Sequence, residues 1–119
     1  STTDAKRATL RANQTLIEKA IQRYKLDHGD RFPDSRIVQQ LTQYTKGNGE
    51  PSATAGPPHN FGPYLNQFPP NPLAAATVNP RSVNVVASSQ LLTPDENPTN
   101  AWKYSSLTGQ IIPNFTSGE

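Results

Sequence analysis

Near its start the chain has one long segment without a glycine or a proline. Residues 4–28 contain neither residue type, so no residue there disfavours a continuous helix. Gly29 follows as a residue type that often ends helices, and Pro33 prevents an early restart. The pattern predicts an amphipathic helix over residues 4–28. Its broad apolar face is expected to pack on the core through Leu16, Ile17, Ala20, Ile21 and Tyr24.

The two halves of this predicted helix differ in the size of their apolar side chains. The first half offers mainly Ala5, Ala8 and Ala12. Burial of an alanine gains little free energy, so this half is not expected to pack firmly on a core. Small side chains do allow a neighbouring helix to approach closely. We therefore interpret these three alanines as an assembly surface.

The rest of the sequence predicts a single small domain with a lean core. The chain has 119 residues, of which 33% are hydrophobic and 12 are prolines, which fits one domain and a small sheet. A second, short helix is predicted over residues 36–44, followed by a Gly- and Pro-rich loop over residues 47–60. Strands are predicted only in the last third, where Gly109 marks a hairpin turn.

This order of elements predicts an α+β fold in which a long N-terminal helix packs on a small antiparallel sheet. One domain would span residues 1–119. It would consist of an N-terminal helix at 1–29, a variable helix and loop region at 30–80, and an antiparallel sheet at 81–119.

The charge pattern argues against a nucleic-acid partner, and the hydropathy argues against a membrane-spanning helix within this sequence. The net charge is +2, and acidic residues are interspersed among the basic ones of the first helix. Lys103 lies between two aromatic residues, but alternation along a strand turns it away from both, so no nucleic-acid partner is expected. No apolar run in this sequence approaches the roughly 20 residues that span a bilayer.

Catalytic and metal sites have little support in the residue pattern. The sequence has no cysteine, which excludes disulfides and cysteine-based metal sites. His28 falls at a helix end and His59 in a loop, neither within a nucleophile motif, so no catalytic residue and no enzymatic activity are expected. Hard oxygen ligands on an irregular loop suit calcium, which makes Asp95 and Glu96 weak calcium candidates. No other cofactor is expected.

Three stretches carry a resemblance to a known family. Residues 16–33 read LIEKAIQRYKLDHGDRFP, residues 62–72 read GPYLNQFPPNP, and residues 101–111 read AWKYSSLTGQI. The first resembles the helix end of type II secretion pseudopilins of the major-pseudopilin type. The second and third resemble a loop and the closing hairpin of pilin-like relatives. Together they cover about half of the chain.

The resemblance implies a pilin-like fold and a structural function. Such a protein is a subunit of a periplasmic pseudopilus that supports protein export, and it assembles through its N-terminal helix. Its partners would be copies of itself, other pilin-like subunits and the secretion machinery. An apolar helix upstream of this sequence would anchor it in the inner membrane, with the present chain as the periplasm-facing part.

Two alternatives stay open at this point. The chain is also consistent with a minor type IV pilin. It is further consistent with a pilin-like binding module that displays its 47–60 loop to a ligand or a secreted substrate.

Overall fold

A computed structural model describes residues 2–115 of the protein. Within them the chain forms an α+β fold, as predicted, with one long helix, one short helix and two small sheets. In chain order the elements are α1 (Thr2–Asp27), α2 (Ile37–Thr42), β1 (Tyr44–Thr45), β2 (Pro51–Ser52), β3 (Val83–Val86), β4 (Trp102–Ser105) and β5 (Ile111–Pro113).

Helix α1 closely matches the predicted first helix, and it ends at the predicted place. Gly29 has a φ of +66°, a left-handed conformation that glycine adopts at no steric cost. The amide of Asp30 then donates to the Lys25 carbonyl at 2.9 Å, which satisfies a carbonyl of the last turn. No helix within residues 2–115 combines the length and the apolar character needed to cross a membrane.

The core lies on one face of α1, and it confirms four of the five predicted packing residues. Ile17, Ala20, Ile21 and Tyr24 are buried. The prediction is wrong for Leu16, whose exposed fraction is 51%. Leu16 lies about 100° around the helix from Ile17, beyond the arc of α1 that the rest of the domain covers. The apolar face of this helix is therefore wider than its buried face.

The larger sheet has the order β3-β4-β5, and it is mixed rather than antiparallel. Strands β4 and β5 pair antiparallel through the predicted hairpin, in which Gly109 has a φ of +76°. Strands β3 and β4 pair parallel, with Val83 opposite Trp102. A parallel pair needs a crossover connection, and residues 87–101 supply it. The alternation of side chains that predicts a strand does not encode its direction, so the antiparallel prediction fails for β3.

A second, two-stranded sheet lies within residues 44–52. No strand was predicted in this part of the chain. Strands β1 and β2 pair antiparallel. Helix α2 ends before Tyr44 because Gln43 is extended and the next residues join a ladder. Thr45 exchanges two backbone hydrogen bonds with Phe61, at 2.8 and 3.1 Å. These pairings brace both ends of the predicted loop.

Two aromatic side chains of the central strand connect the sheet to segments without regular structure. Trp102 and Tyr104 are fully buried in the same cluster as the α1 core residues. The Trp102 indole nitrogen donates to the Pro69 carbonyl at 3.0 Å, and the Tyr104 hydroxyl donates to the Pro33 carbonyl at 2.8 Å. Burial raises the pKa of Tyr104, so its hydroxyl remains a proton donor at neutral pH.

We predict that Ile21→Ala destabilises the domain by about 2–5 kcal/mol, because it removes a fully buried side chain and leaves a cavity. Leu16→Ala on the same helix is the matched control and should cost less than about 1 kcal/mol, since Leu16 is half exposed. Urea unfolding of both variants measures the two values. Equal costs would show that the buried arc of α1 is misplaced.

Candidate functional site

The outer side of α1 carries the residues that were predicted to form the assembly surface. Ala5, Ala8 and Ala12 are all exposed. Their spacing of three and four residues puts them on one side of the helix, and Leu16 continues the series four residues later. We call Ala5, Ala8 and Ala12 the alanine stripe. The structure therefore places the predicted assembly surface in solvent, along the outer side of the helix.

The opposite side of the same half-helix is the one that attaches to the domain. Leu10 is buried, which the sequence analysis missed because its neighbours in this half are small. The Asn13 amide donates to the Pro70 carbonyl at 2.8 Å, and the Gln14 amide donates to the Ile111 carbonyl at 2.9 Å. These contacts fix the rotation of α1. The alanine stripe consequently faces away from the domain.

A groove begins where the alanine stripe ends. It has a volume of about 410 Å³ and runs between α1 and the segment that follows Tyr64. Its apolar wall consists of Leu16, Leu65, Pro69 and Pro70, with Asn13 at one side. None of the residues that line it is charged. We call it the Leu16 groove. Leu16, which was wrongly assigned to the core, thus lines an apolar depression in the surface.

The calcium candidate Asp95 already has partners for both of its carboxylate oxygens. Lys103 Nζ lies 2.8 Å from Oδ1, and the side-chain amides of Asn84 and Asn114 donate to Oδ2 at 2.9 and 3.0 Å. The Lys103 ammonium, followed by Asn114, holds the pKa of the Asp95 carboxyl below its ordinary value. Asp95 thereby connects the crossover segment, residues 87–101, to β3 through Asn84 and to β4 through Lys103. Asn114, the residue after β5, provides the third connection.

The second calcium candidate, Glu96, is exposed. Within residues 2–115, no group of three or more His, Cys, Asp and Glu side chains is positioned to hold a metal ion. A calcium ion at Asp95 would have to displace the Lys103 ammonium. The sequence could not show this competition, because Lys103 reaches Asp95 from a neighbouring strand.

The two histidines occupy different environments. His28 is buried and stacks on the Tyr24 ring with the centroids 3.6 Å apart. Its Nδ1 lies 2.6 Å from the Tyr24 carbonyl oxygen and its Nε2 lies 2.8 Å from Thr45 Oγ1. Thr45 is also fully buried, so both ring nitrogens of His28 have partners inside the domain. His28 belongs to the core, although its position at a helix end gave no sign of that.

The other histidine belongs to the loop over residues 47–60. His59 Nε2 lies 3.2 Å from Glu50 Oε2, and Lys46 Nζ lies 3.7 Å from the same oxygen. A backbone bridge joins Gly56 to His59. The tip of the loop is exposed at residues 53–55 and 57–58. Its base is held by pairing with β1.

Comparisons with family models, with curated proteins and with solved structures found no match to this chain.

We predict that Asp95→Asn lowers the melting temperature at neutral pH, because it removes the charge that Lys103 and two amides bind. The folded-state pKa of Asp95 lies below its unfolded value. The stabilisation is therefore complete above the unfolded value of about 3.9 and is lost as the pH falls through the folded value. Melting curves from pH 7 to pH 2 should show the difference between wild type and variant constant down to about pH 5 and shrinking below about pH 4.

Glu96→Gln serves as the control for Asp95→Asn, because it neutralises an exposed carboxylate in the same segment. Its melting curve should follow the wild type across the pH series. A difference between wild type and Asp95→Asn that persists unchanged at pH 2 would show that the Asp95 charge does not fasten the crossover segment.

For calcium we predict a dissociation constant no tighter than about 1 mM, because Lys103 occupies the position that the ion needs. Titration calorimetry measures it. Binding in the micromolar range that Asp95→Asn abolishes would contradict this prediction.

Proposed function

We propose that this protein is a structural subunit of a pilin-like filament, in the first place a pseudopilus of a type II secretion system. The observation that carries the proposal is the asymmetry of α1. The helix buries Ile17 and Ile21 in the domain, while Ala5, Ala8 and Ala12 stay exposed along its outer side. A helix that belongs to the domain at one end and presents small side chains at the other is suited to pack against copies of itself.

The fold gives further support. A long N-terminal helix on a small sheet is the architecture that the family resemblance implies, and the mixed strand order does not change that layering. The three stretches that carry the resemblance also touch one another. Tyr64 donates its hydroxyl proton to Asp27 Oδ2 at 2.6 Å, and Trp102 donates to Pro69 at 3.0 Å. These two hydrogen bonds link the three stretches within the folded domain.

In this proposal the membrane holds the subunits and the helices align them. An apolar segment upstream of α1 would anchor the protein in the inner membrane and leave the present domain in the periplasm. The alanine stripe of each subunit would then pack on a different surface of the next subunit, since a filament needs heterologous contacts. Lys19 and Arg11 are exposed on α1. Pairing of these cations with acids of an adjacent subunit would set the register of packing more than its strength.

A binding module is the second candidate, and one observation favours it. The tip of the 47–60 loop is exposed at residues 53–55 and 57–58 while its base is braced by β1. An exposed loop with a braced base is suited to display to a ligand or a secreted substrate. A minor type IV pilin would combine this display with the same helix packing.

We predict that the protein with its upstream apolar segment forms filaments when the secretion system is overproduced, and that Ala8→Glu plus Ala12→Glu abolishes them. The two carboxylates would add bulk and negative charge where helices approach closely. Electron microscopy of sheared cell surfaces gives the readout. The double variant should retain the wild-type melting temperature in the isolated domain, since both positions are exposed.

Gln22→Glu plus Gln39→Glu is the matched control for the alanine variant. It also adds two carboxylates at exposed positions, one on α1 away from the alanine stripe and one on α2. Filaments should persist in it. Normal filaments in the alanine variant would refute the assigned packing surface. Absence of filaments in the wild-type protein as well as in both variants would refute the filament function.

A further inference from the structure

A polar cavity lies beside the end of α1. It has a volume of about 380 Å³, and its walls come from residues between 24 and 34, from the turn that joins β1 to β2, and from Ser106 after β4. We call it the Tyr24 cavity. Neither the calcium candidates nor the alanine stripe contributes to it. It is therefore separate from both of those places on the molecule.

The Tyr24 hydroxyl is a polar group without a partner in the described part of the domain. Tyr24 is only 3% exposed, and its ring stacks on His28. No residue from 2 to 115 forms a hydrogen bond with its hydroxyl, although a buried hydroxyl normally has a partner. No fully enclosed side-chain polar atom within these residues lacks a partner. The hydroxyl is therefore open to solvent, at the cavity that Tyr24 lines.

The surroundings of this hydroxyl keep it a proton donor. A Cβ atom at Gly49 would lie 2.6 Å from Tyr24 Oη, so the β1–β2 turn approaches the hydroxyl this closely only with glycine at position 49. The nearby Gln40 Oε1 already accepts from the Asp34 amide at 2.9 Å. Burial, followed by the Asp34 charge, raises the pKa of Tyr24 to about 12. At neutral pH the hydroxyl thus carries a proton for which residues 2–115 provide no acceptor.

Most hydrogen-bond acceptors around the cavity already have donors. The two Asp34 carboxylate oxygens accept from the Arg36 guanidinium at 3.0 and 2.7 Å, and this ion pair offsets the Asp34 charge. Asn48 Oδ1 accepts from a backbone amide of its own turn at 3.0 Å. The exception is Asp30, whose side chain is 91% exposed and lies 3.6 Å from Lys25 Nζ. A ligand that mainly donates hydrogen bonds would find few free acceptors here.

The donors of the cavity, in contrast, are partly free. Two backbone carbonyls orient the Arg31 guanidinium, since Nε donates to His28 at 3.1 Å and Nη2 donates to Gly47 at 3.3 Å. Within the part of the chain that the structure describes, its other N–H groups have no acceptor and no carboxylate pairs with it. The Asn48 amide nitrogen likewise has no acceptor among residues 2–115. The cavity thus presents one oriented cation and two further donors, at Asn48 and Tyr24.

We propose that the Tyr24 cavity binds a carboxylate group, which pairs with Arg31 and accepts hydrogen bonds from Tyr24 and Asn48. A carboxylate only accepts hydrogen bonds, so it matches the free donors, and a guanidinium binds it through two parallel hydrogen bonds. A single unpaired cation with Asp30 nearby suits one negative charge better than the charge of about −2 on a phosphate monoester. Two sources share this chemistry, a small free carboxylate and an acidic side chain of a polypeptide. The site does not depend on the proposed filament function.

Titration of the protein with acetate, followed by NMR at constant ionic strength, tests the proposal. We expect saturable shifts of the Arg31 Nε–H and of the Gly47 and Asn48 amides, with a dissociation constant in the millimolar range. Acetamide has nearly the same shape without the charge and should bind about tenfold more weakly. Equal binding of acetamide, tighter binding of inorganic phosphate, or no saturable shift with acetate would overturn the proposal.

A blocked peptide whose only charge is one glutamate side chain distinguishes the two sources of the carboxylate. Binding of this peptide more tightly than acetate would assign the site to an acidic side chain of a polypeptide. Equal affinities would assign it to a small carboxylate.

Tyr24→Phe removes the hydroxyl and keeps the ring. It should weaken acetate binding about tenfold, because it deletes a hydrogen bond to a charged group. The melting temperature should stay unchanged, because this hydroxyl has no partner among residues 2–115. Arg31→Gln, which removes the cation, should abolish saturable acetate binding. Wild-type affinity for acetate in either variant would overturn the proposal.

Tyr64→Phe is the matched control, because it removes another tyrosine hydroxyl from a buried residue outside the cavity. The Tyr64 hydroxyl donates to Asp27 Oδ2 at 2.6 Å. This variant should therefore have a lower melting temperature and wild-type affinity for acetate. A melting temperature of Tyr24→Phe that falls as far as that of Tyr64→Phe would show that the Tyr24 hydroxyl has a partner inside the domain, and would overturn the proposal as well.

Discussion

The packing of the second half of α1 on the three-stranded sheet is the constraint on which the rest of the structure depends. Ile17 and Ile21 are fully buried in one cluster with Trp102 and Tyr104 of the central strand. Both aromatic side chains also carry a polar group that forms a hydrogen bond when the ring is buried. Each donates one hydrogen bond to the backbone of a segment without regular structure, at Pro33 and at Pro69. A lean core thereby holds a chain that is rich in irregular segments.

The parts of the fold that could be predicted from the sequence are those that depend on neighbouring residues alone. Helix α1 and the β4–β5 hairpin follow from local signals, namely helical periodicity, strand alternation and a glycine at each end point. The burial of His28 and the exposure of Leu16 do not follow from local signals. Each depends on what lies opposite in the fold, Thr45 beside His28 and an open groove beside Leu16. The parallel direction of β3 likewise depends on the path of residues 87–101.

The candidate site shows the same division between local and long-range information. Ala5, Ala8 and Ala12 were identified by residue size and spacing alone, and the structure places them in solvent. Asp95 was identified by residue type, but its surroundings were not foreseeable, because Lys103, Asn84 and Asn114 come from three separate places in the sequence. What reads as a cation site in one stretch of sequence is an ion pair that fastens the crossover segment. The exposure of these three alanines was therefore consistent with the sequence prediction, whereas the cluster around Asp95 was not predictable.

The central claim is that the domain core holds the second half of α1 firmly and the first turns, before the buried Leu10, only weakly. Ala5 and Ala8 in those turns stay exposed for the proposed packing on neighbouring subunits. Native-state hydrogen exchange of the isolated domain tests it most directly. The comparison uses amides that have a partner within the helix, residues 6–9 against residues 17–24. We predict that residues 17–24 exchange only through near-global unfolding, and that residues 6–9 exchange roughly 100-fold faster or more through local opening. Equal protection along the whole of α1 would contradict the account.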